Sequence, residues 1–143
     1  MFKRRPKIGI AFGGGGARGF THIGVIKALE EYGLKFDYVA GKSVGSMVGA
    51  AYAAGKTWEE IYNIAKDIKI KDIRTSKIPL LPSKTDGIEK VMKDFLGDIN
   101  IEDLPTPFSA VAVDIKTTKE ICISHGNLAK AVAGSCCVPG IFI

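Results

Sequence analysis

Hydrophobic residues along this chain follow two patterns, short uninterrupted runs and helical spacing. Short apolar runs are typical of strands covered on both faces, and they predict strands at residues 7–12, 36–40 and 108–115. Apolar positions three and four residues apart predict helices at residues 17–32 and 86–96. Strands that alternate with crossover helices predict an α/β fold, a three-layer α/β/α sandwich with a largely parallel sheet.

Small residues, caps and turns predict the remaining elements. Residues 44–54 are mostly small and predict a helix that packs closely on the sheet. The capping box T-W-E-E starts a helix over residues 57–68, and an asparagine cap starts another over residues 127–134. Residues 120–124 follow a short turn and predict a hairpin partner of the third strand. The proline-containing basic segment 69–85 predicts a loop.

Length and charge indicate one domain over residues 1–143. The chain is 46% hydrophobic, enough for a real core, and carries a net charge of +5. Much of this charge comes from a cluster near the N-terminus, Lys3, Arg4, Arg5 and Lys7. A solvated basic N-terminus is the expected reading, which permits contact with anionic surfaces. We expect no nucleic-acid partner.

The cysteine pattern and the lack of long apolar stretches are typical of a protein in a reducing compartment. Cys122, Cys136 and Cys137 form no C-x-x-C pair, so neither a zinc site nor a redox pair is expected. They are expected to be small buried hydrophobes in a reducing compartment. No signal peptide is visible, and no apolar stretch approaches the ~20 residues that span a membrane. A cytoplasmic protein is therefore expected.

Two glycine motifs stand where a predicted strand meets a predicted helix. The first, Gly14-Gly15-Gly16-Ala17-Arg18-Gly19, presents backbone N–H groups at a helix start, which suits an anion or a developing oxyanion. The second, Gly41-Lys42-Ser43-Val44-Gly45, fits a nucleophile elbow, in which Ser43 is exposed on a sharp turn and the N–H of Val44 helps to bind the oxyanion. Both motifs lie at the carboxyl ends of strands, where α/β sheets bind ligands.

Two nucleotide-binding motifs are alternatives. The first motif also satisfies G-x-G-x-x-G, the dinucleotide-binding pattern, with Asp37 about the right distance downstream. The ribose-binding acid should end the second strand, whereas Asp37 starts it, so we expect no dinucleotide. The second motif resembles the end of a P-loop, but a P-loop needs a glycine where Phe36 stands.

The sequence from Gly13 to Gly55, GGGGARGFTHIGVIKALEEYGLKFDYVAGKSVGSMVGAAYAAG, resembles the patatin-like phospholipases, acyl hydrolases with a Ser-Asp dyad. The resemblance continues in AVAVDIKTTKE and AVAGSCCVPGIF, so it extends over essentially the whole chain. It implies Ser43 as the nucleophile. It also implies that Gly14, Gly15 and Gly16 form the oxyanion loop and that Arg18 is the basic position of this loop. The motif glycines are Gly19, Gly41 and Gly45. Mild departures are Gly13, where plant members carry aspartate, and the larger Lys42 and Val44 within the elbow.

The dyad aspartate of that family is not in this sequence. The resemblance places it in a D-G-G or D-G-A motif downstream of P-G-I-F, and the 143 residues contain neither motif. Asp86-Gly87 is followed by Ile88 and is a poor substitute. We therefore expect the N-terminal portion of a catalytic domain, incomplete at its C-terminus and nearly inactive alone. Its open sheet edge would favour self-association.

Three residues within the sequence are weaker candidates for a base. Asp114 follows the third strand at the rim of the expected site, where a turn aspartate is the simpler interpretation. His22 is expected to be a satisfied helix histidine, and His125 an exposed turn residue. A Ser43, Asp114, His125 triad has the usual α/β-hydrolase order, but its last two members are only a hairpin apart.

Taken with the resemblance, these residues predict a serine acyl hydrolase for lipid acyl esters, of the phospholipase A or lipase type. The alternative is a non-catalytic lipid- or phosphate-binding remnant of the same fold. No metal or cofactor is expected. The expected partner is a lipid or membrane-surface substrate, bound by a protein that is cytoplasmic or peripheral at the membrane.

Overall fold

The computed structural model describes residues 5–68 and 86–137. The loop predicted at residues 69–85 lies outside these ranges, as do Lys3, Arg4 and the segment 138–143.

The described residues contain a four-stranded mixed sheet in the order β1-β2-β3-β4. The strands are β1 (Gly9–Phe12), β2 (Tyr38–Lys42), β3 (Phe108–Val113) and β4 (Glu120–Ile123). β1 and β2 pair in parallel, as do β2 and β3, and β4 runs antiparallel to β3. The predicted α/β fold with a largely parallel sheet is confirmed, and so is the hairpin partner of the third strand.

Five α-helices and two short 3-10 turns accompany the sheet in the described part of the chain. The helices are α1 (His22–Glu31), α2 (Val44–Ala53), α3 (Trp58–Asp67), α4 (Asp86–Leu96) and α5 (Leu128–Cys136). The 3-10 turns span Gly16–Thr21 and Ile101–Asp103. Thr57 and Glu60 exchange the hydrogen bonds of a capping box at the start of α3, and Asn127 accepts from the N–H of Lys130 at the start of α5, as predicted.

Several boundaries differ from the prediction. The helix predicted over residues 17–32 begins as a 3-10 turn, because the N–H of Arg18 bonds back to the carbonyl of Gly15 at 3.2 Å. β2 starts and ends two residues later than predicted, because its pairing with β3 continues through Gly41 and Lys42. β3 stops at Val113, before the turn that leads into β4.

Helix α2 is the centre of the core. Eight of its ten residues are buried, since the sheet lies on one side and other helices lie on the other. A Cβ atom at Gly49 would lie 3.1 Å from Val39, 3.2 Å from Phe108 and 3.3 Å from Phe12. The small residues of α2 thus let its backbone approach the strands, and the N-terminus of α2 is fixed at the carboxyl edge of the sheet.

The two sides of the sheet are buried to different degrees in the described residues. β1, β2 and β3 lie side by side in chain order, and helices flank the sheet on both sides, so the predicted three-layer α/β/α sandwich is confirmed. Helices α2 and α5 pack on each other and on β3. On the opposite face Lys42, Val113 and Cys122 are exposed. The prediction that all the cysteines are buried is therefore wrong for Cys122, which lies on the edge strand β4.

Candidate active site

Ser43 stands alone between the last residue of β2 and the first residue of α2. Its backbone has φ 54° and ψ −130°, in the left-handed half of the φ range. Within the described residues only Ser43 and Thr118 combine a side chain with positive φ. Such a conformation costs about 1–3 kcal/mol and persists only where the surroundings impose it. This sharp strand-to-helix turn is the geometry of a nucleophile elbow.

The two glycines of the elbow are required by close backbone contacts. A Cβ atom at Gly41 would lie 2.5 Å from the carbonyl oxygen of Gly45 and 2.5 Å from the Cα of Ser46. A Cβ atom at Gly45 would overlap the carbonyl oxygens of Phe12 and Gly13. The first turn of α2 is therefore pressed against the end of β1, where the other glycine motif begins.

Hydrogen bonds hold the backbone of Ser43 on both sides. Its carbonyl accepts from the N–H of Ser46 at 2.7 Å, the N–H of Met47 at 3.3 Å and the hydroxyl of Ser46 at 2.6 Å. Its N–H donates to the hydroxyl of Ser135 at 2.9 Å, and that hydroxyl donates to the carbonyl of Val111 at 2.6 Å. The turn is thus tied both to α2 and, through α5, to β3.

The first glycine motif lies beside the elbow. Gly15 and Gly16 have φ of 156° and 56°, so the loop uses conformations that favour glycine. A Cβ atom at Gly14 would contact the Cβ of Ser43 at 3.5 Å. One at Gly19 would lie 2.9 Å from the Cβ of Val44, closer than real side chains approach. The fold therefore brings the two motifs together, and the loop begins next to the Ser43 side chain.

His22 supports this loop from the first turn of α1. Its Nε2 lies 2.9 Å from the carbonyl oxygen of Gly13, so Nε2 carries the proton and donates. Its ring also packs against Phe12, with ring centroids 5.1 Å apart. These contacts fit the interpretation of His22 as a satisfied helix histidine. Arg18 is exposed, and its backbone closes the 3-10 turn: its N–H donates to the Gly15 carbonyl, and its carbonyl accepts from the Thr21 hydroxyl.

The buried side chain of Cys136 contacts the hydroxyls of the elbow. Burial raises the pKa of its thiol to about 11, although hydrogen bonds with the hydroxyls of Ser46 and Ser43 act in the opposite direction. At neutral pH the thiol is therefore protonated and a poor nucleophile. Ser43, which is half-buried, keeps its place as the candidate nucleophile of the elbow.

Asp114 and His125 have other contacts. Asp114 accepts from the hydroxyl of Thr117 at 2.8 Å and from the N–H of Lys116 at 2.9 Å. These hydrogen bonds, that of Thr117 foremost, lower the pKa of Asp114 and make it a weaker base. His125 is exposed and bonds to the hydroxyl of Ser124 at 3.0 Å. Both side chains thus fit the turn roles that their sequence context favours.

An open cleft of about 460 Å³ lies next to Ser43. Its described lining is mostly apolar and consists of Lys42, Ser43, Val111, Ala112, Val113, Ile115, Thr118, Gly134, Ser135 and Cys137. A cleft of this size is within the range of small-molecule sites.

Asp37 lies at the opposite end of the sheet from both glycine motifs. It precedes β2 and accepts from the N–H of Ile8 at 2.8 Å and from Arg5 at 2.7 Å. A ribose-binding acid belongs at the carboxyl end of the second strand. The position of Asp37 therefore does not fit the dinucleotide interpretation.

The described residues contain neither a group of metal ligands nor a membrane-spanning helix. Within residues 5–68 and 86–137, no three His, Cys, Asp or Glu side chains are grouped so that they could bind a metal ion. Among the described helices, none has the length and apolar character needed to cross a bilayer.

Comparison with known proteins gives a family, relatives and structural neighbours. The family model described as Patatin-like phospholipase matches residues 10–143. An NTE family protein of Mycobacterium bovis is 36% identical over 140 residues, which are 95% of this chain and 39% of the relative. The neuropathy target esterase sws of Drosophila persimilis is 31% identical over 142 residues, 93% of this chain and 10% of the relative. This chain thus spans about two fifths or less of these relatives.

Two solved structures share the fold. VipD from Legionella pneumophila superposes with a TM-score of 0.76 at 14% identity, covering 96% of this chain and 43% of VipD. The type III effector protein ExoU superposes with a TM-score of 0.63 at 14% identity, covering 96% of this chain and 40% of ExoU. At this identity the likeness concerns the fold alone.

A glycine-to-alanine pair tests whether backbone contact holds the elbow. Gly45→Ala should destabilise the protein by about 1–3 kcal/mol or more, because the new methyl group meets the carbonyl oxygens of Phe12, the last residue of β1, and of Gly13. Gly24→Ala, in α1 with open space around it, should be neutral or stabilising by about 0.5–1 kcal/mol. Urea unfolding measures both. Equal stability of the two variants would contradict the close approach of α2 to β1.

Proposed function

The chain belongs to the patatin-like phospholipase family, and on that premise we propose that it is the nucleophile-bearing part of a serine acyl hydrolase for lipid acyl esters. The observation that carries the proposal is the backbone of Ser43, which has positive φ at the turn between the internal strand β2 and the buried helix α2. The protein maintains this unfavourable conformation at the one residue whose hydroxyl the reaction needs.

In the proposed reaction the Ser43 hydroxyl attacks the carbonyl carbon of an ester. A bond forms between Ser43 Oγ and that carbon, and the carbonyl oxygen becomes an oxyanion. Collapse of the tetrahedral intermediate breaks the bond between that carbon and the alcohol oxygen, the base passes the Ser43 proton to this oxygen, and an acyl group is left on Ser43. Water then attacks the same carbon, and the fatty acid is released while the Ser43 hydroxyl is restored.

Backbone N–H groups are proposed to bind the oxyanion. Val44 is the first residue of α2, so its N–H has no acceptor within the helix and lies at the positive end of the helix dipole. The loop Gly14 to Gly16 begins within contact distance of the Ser43 side chain and supplies further N–H groups. Donors fixed in this way stabilise charge without reorganisation during the reaction.

The reaction also needs a group that takes the serine proton. The family resemblance assigns this role to an aspartate in a D-G-G or D-G-A motif, which the 143 residues do not contain. Asp114 is a weak substitute, because its carboxylate already accepts two hydrogen bonds in its own turn. We therefore expect fast acyl transfer only in a longer polypeptide that continues through a D-G-G or D-G-A motif. This polypeptide is the extended chain in the experiments below.

Lipid acyl esters are the substrate class favoured by the apolar cleft beside Ser43. Val111, Val113 and Ile115 supply apolar surface there, and Lys42 offers a cation that suits an anionic head group. A lipid substrate fits a protein that is cytoplasmic or acts peripherally at a membrane surface. Pairing of a second copy with the edge strand β4 is the expected mode of any self-association.

A non-catalytic lipid- or phosphate-binding role is the second candidate, and the backbone N–H groups of the glycine loop and of the start of α2 favour it, because they suit an anion. The two candidates differ in one respect that is measurable. A binding module needs the N–H groups of the loop and of α2, whereas a hydrolase also needs a reactive Ser43 hydroxyl.

A fluorophosphonate probe separates these candidates. The extended chain should be labelled at Ser43, and Ser43→Ala should abolish labelling, because phosphonylation requires an activated serine hydroxyl. The 143-residue chain should react far more slowly and hydrolyse esters poorly, since its proton acceptor is missing. Peptide mass spectrometry locates the adduct.

Ser46→Ala is the matched control, because Ser46 is a second serine of the same turn with its hydroxyl bonded to the backbone. Labelling that survives Ser43→Ala would contradict the assignment. Equal turnover by the short and extended chains would place the base within these 143 residues, with Asp114→Asn as the next variant to test. An unlabelled extended chain that still binds anionic vesicles would support the binding module.

The loop makes a further prediction. Gly15→Ala in the extended chain should lower kcat by roughly 10²-fold or more, because φ of 156° at Gly15 is unfavourable for alanine and the loop N–H groups would shift. The Cβ atom itself has room, with Gly19 N at 3.6 Å, so the protein should remain folded. If the Gly15→Ala variant is folded and fully active, the loop is only a turn and does not bind the oxyanion.

A further inference from the structure

The hydroxyl that accepts the Ser43 N–H belongs to a buried serine of α5. Ser135 is 7% exposed, and its Oγ lies 2.9 Å from the N of Ser43 and 2.6 Å from the carbonyl oxygen of Val111. A hydroxyl has one hydrogen to donate, and that of Ser135 is donated to the Val111 carbonyl. A lone pair of Ser135 Oγ is therefore directed at Ser43, and the orientation of this hydroxyl is fixed by β3.

The two sides of the Ser43 backbone are held unequally. Its carbonyl accepts three hydrogen bonds, two from backbone N–H groups of α2 and one from the Ser46 hydroxyl. Its N–H has one acceptor among the described residues, the hydroxyl of Ser135. Loss of the Ser46 hydroxyl would leave the carbonyl bonded twice, whereas loss of the Ser135 hydroxyl would leave the N–H without a partner in a partly buried turn.

An N–H without a partner matters at this position because the turn is strained. Rotation of the peptide that joins Lys42 to Ser43 would bring the N–H toward water and relax the positive φ. The turn would then no longer be held in the conformation that sets the Ser43 side chain beside the loop that begins at Gly14. One hydrogen bond to Ser135 thus opposes both changes.

We propose that Ser135 is a positioning residue for the acyl-transfer reaction. Its hydroxyl, whose hydrogen bonds to the Val111 carbonyl, holds the Ser43 N–H and so directs the Ser43 hydroxyl toward the oxyanion loop, and it acts on the reaction through Ser43. The inference rests on the proposed function, because it assigns a role in the reaction of Ser43. It adds a dependence on a residue of α5 that stands 92 positions further along the chain.

The test combines a structural readout with a reactivity readout in the extended chain. Amide hydrogen exchange, followed residue by residue by NMR, reports whether the Ser43 N–H is bonded. The rate constant for fluorophosphonate labelling at saturating probe reports the reactivity of the Ser43 hydroxyl separately from probe affinity. In Ser135→Ala we expect exchange of the Ser43 amide about tenfold faster or more and labelling slower by about 10- to 100-fold, with similar probe affinity.

Two variants distinguish positioning from a general loss of packing. Ser46→Ala removes the other buried hydroxyl on the Ser43 backbone and should slow labelling by no more than about threefold, since two N–H donors remain on the carbonyl. Ser135→Thr keeps the hydroxyl and should restore most of the labelling rate. Thermal melts verify folding, and Ser135→Cys, which keeps the shape but is a weaker acceptor, replaces the alanine variant if that variant does not fold.

Each outcome decides the proposal. Labelling by folded Ser135→Ala within about threefold of the parent would overturn it, as would equal losses of rate and thermal stability in Ser135→Ala and Ser46→Ala. An unlabelled parent chain would contradict the proposed function and with it the catalytic part of this inference. The exchange of the Ser43 amide would then still decide whether Ser135 holds that N–H.

Discussion

The contact between the first turn of α2 and the end of β1 constrains everything around the candidate site. No side chain fits at Gly41 or Gly45, because backbone atoms already occupy the space where a Cβ would stand. That approach fixes where α2 begins, and Ser43 must then reverse the chain within one residue at positive φ. The conformation is unfavourable in isolation, and the packing of a helix with eight buried residues out of ten maintains it.

The rest of the site follows from the same contact. Because Gly45 touches the carbonyl oxygens of Phe12 and Gly13, the glycine loop leaves β1 beside the elbow. His22 then fixes the start of that loop through the Gly13 carbonyl, and Ser135 links the elbow to β3. Backbone and side-chain groups from β1, α1, α2 and α5 therefore act on the elbow and the adjoining loop. The chemical consequence is a hydroxyl, the N-terminus of a helix and an apolar cleft in one place.

Local chemistry made much of this predictable from the sequence, and non-local chemistry did not. Glycine spacing predicted the elbow and the loop because glycine is required where backbones touch, and the T-W-E-E box predicted the start of α3. The late end of β2 depends on pairing with β3, more than sixty residues on, which no local pattern contains. The exposure of Cys122 depends on which face of β4 the helices cover. The Ser135 contact was equally hidden, since a serine in a small-residue helix carries no sign of its partner. The two reacting groups of the proposed chemistry were inferred on different grounds. The general base is inferred from the family resemblance alone, whereas Ser43 as nucleophile is inferred from the glycine-flanked turn that holds it.

The central claim is that Ser43 carries the acyl group during turnover, and direct observation of that intermediate is the most decisive measurement. The extended chain is mixed with a p-nitrophenyl acyl ester, quenched in acid at intervals and digested for peptide mass spectrometry. The peptide containing Ser43 should gain the mass of the acyl group, remain acylated at a steady level during turnover and lose the group when the ester is consumed. Ester turnover with no acyl group on that peptide, or with the acyl group on another residue, would contradict the assignment of Ser43.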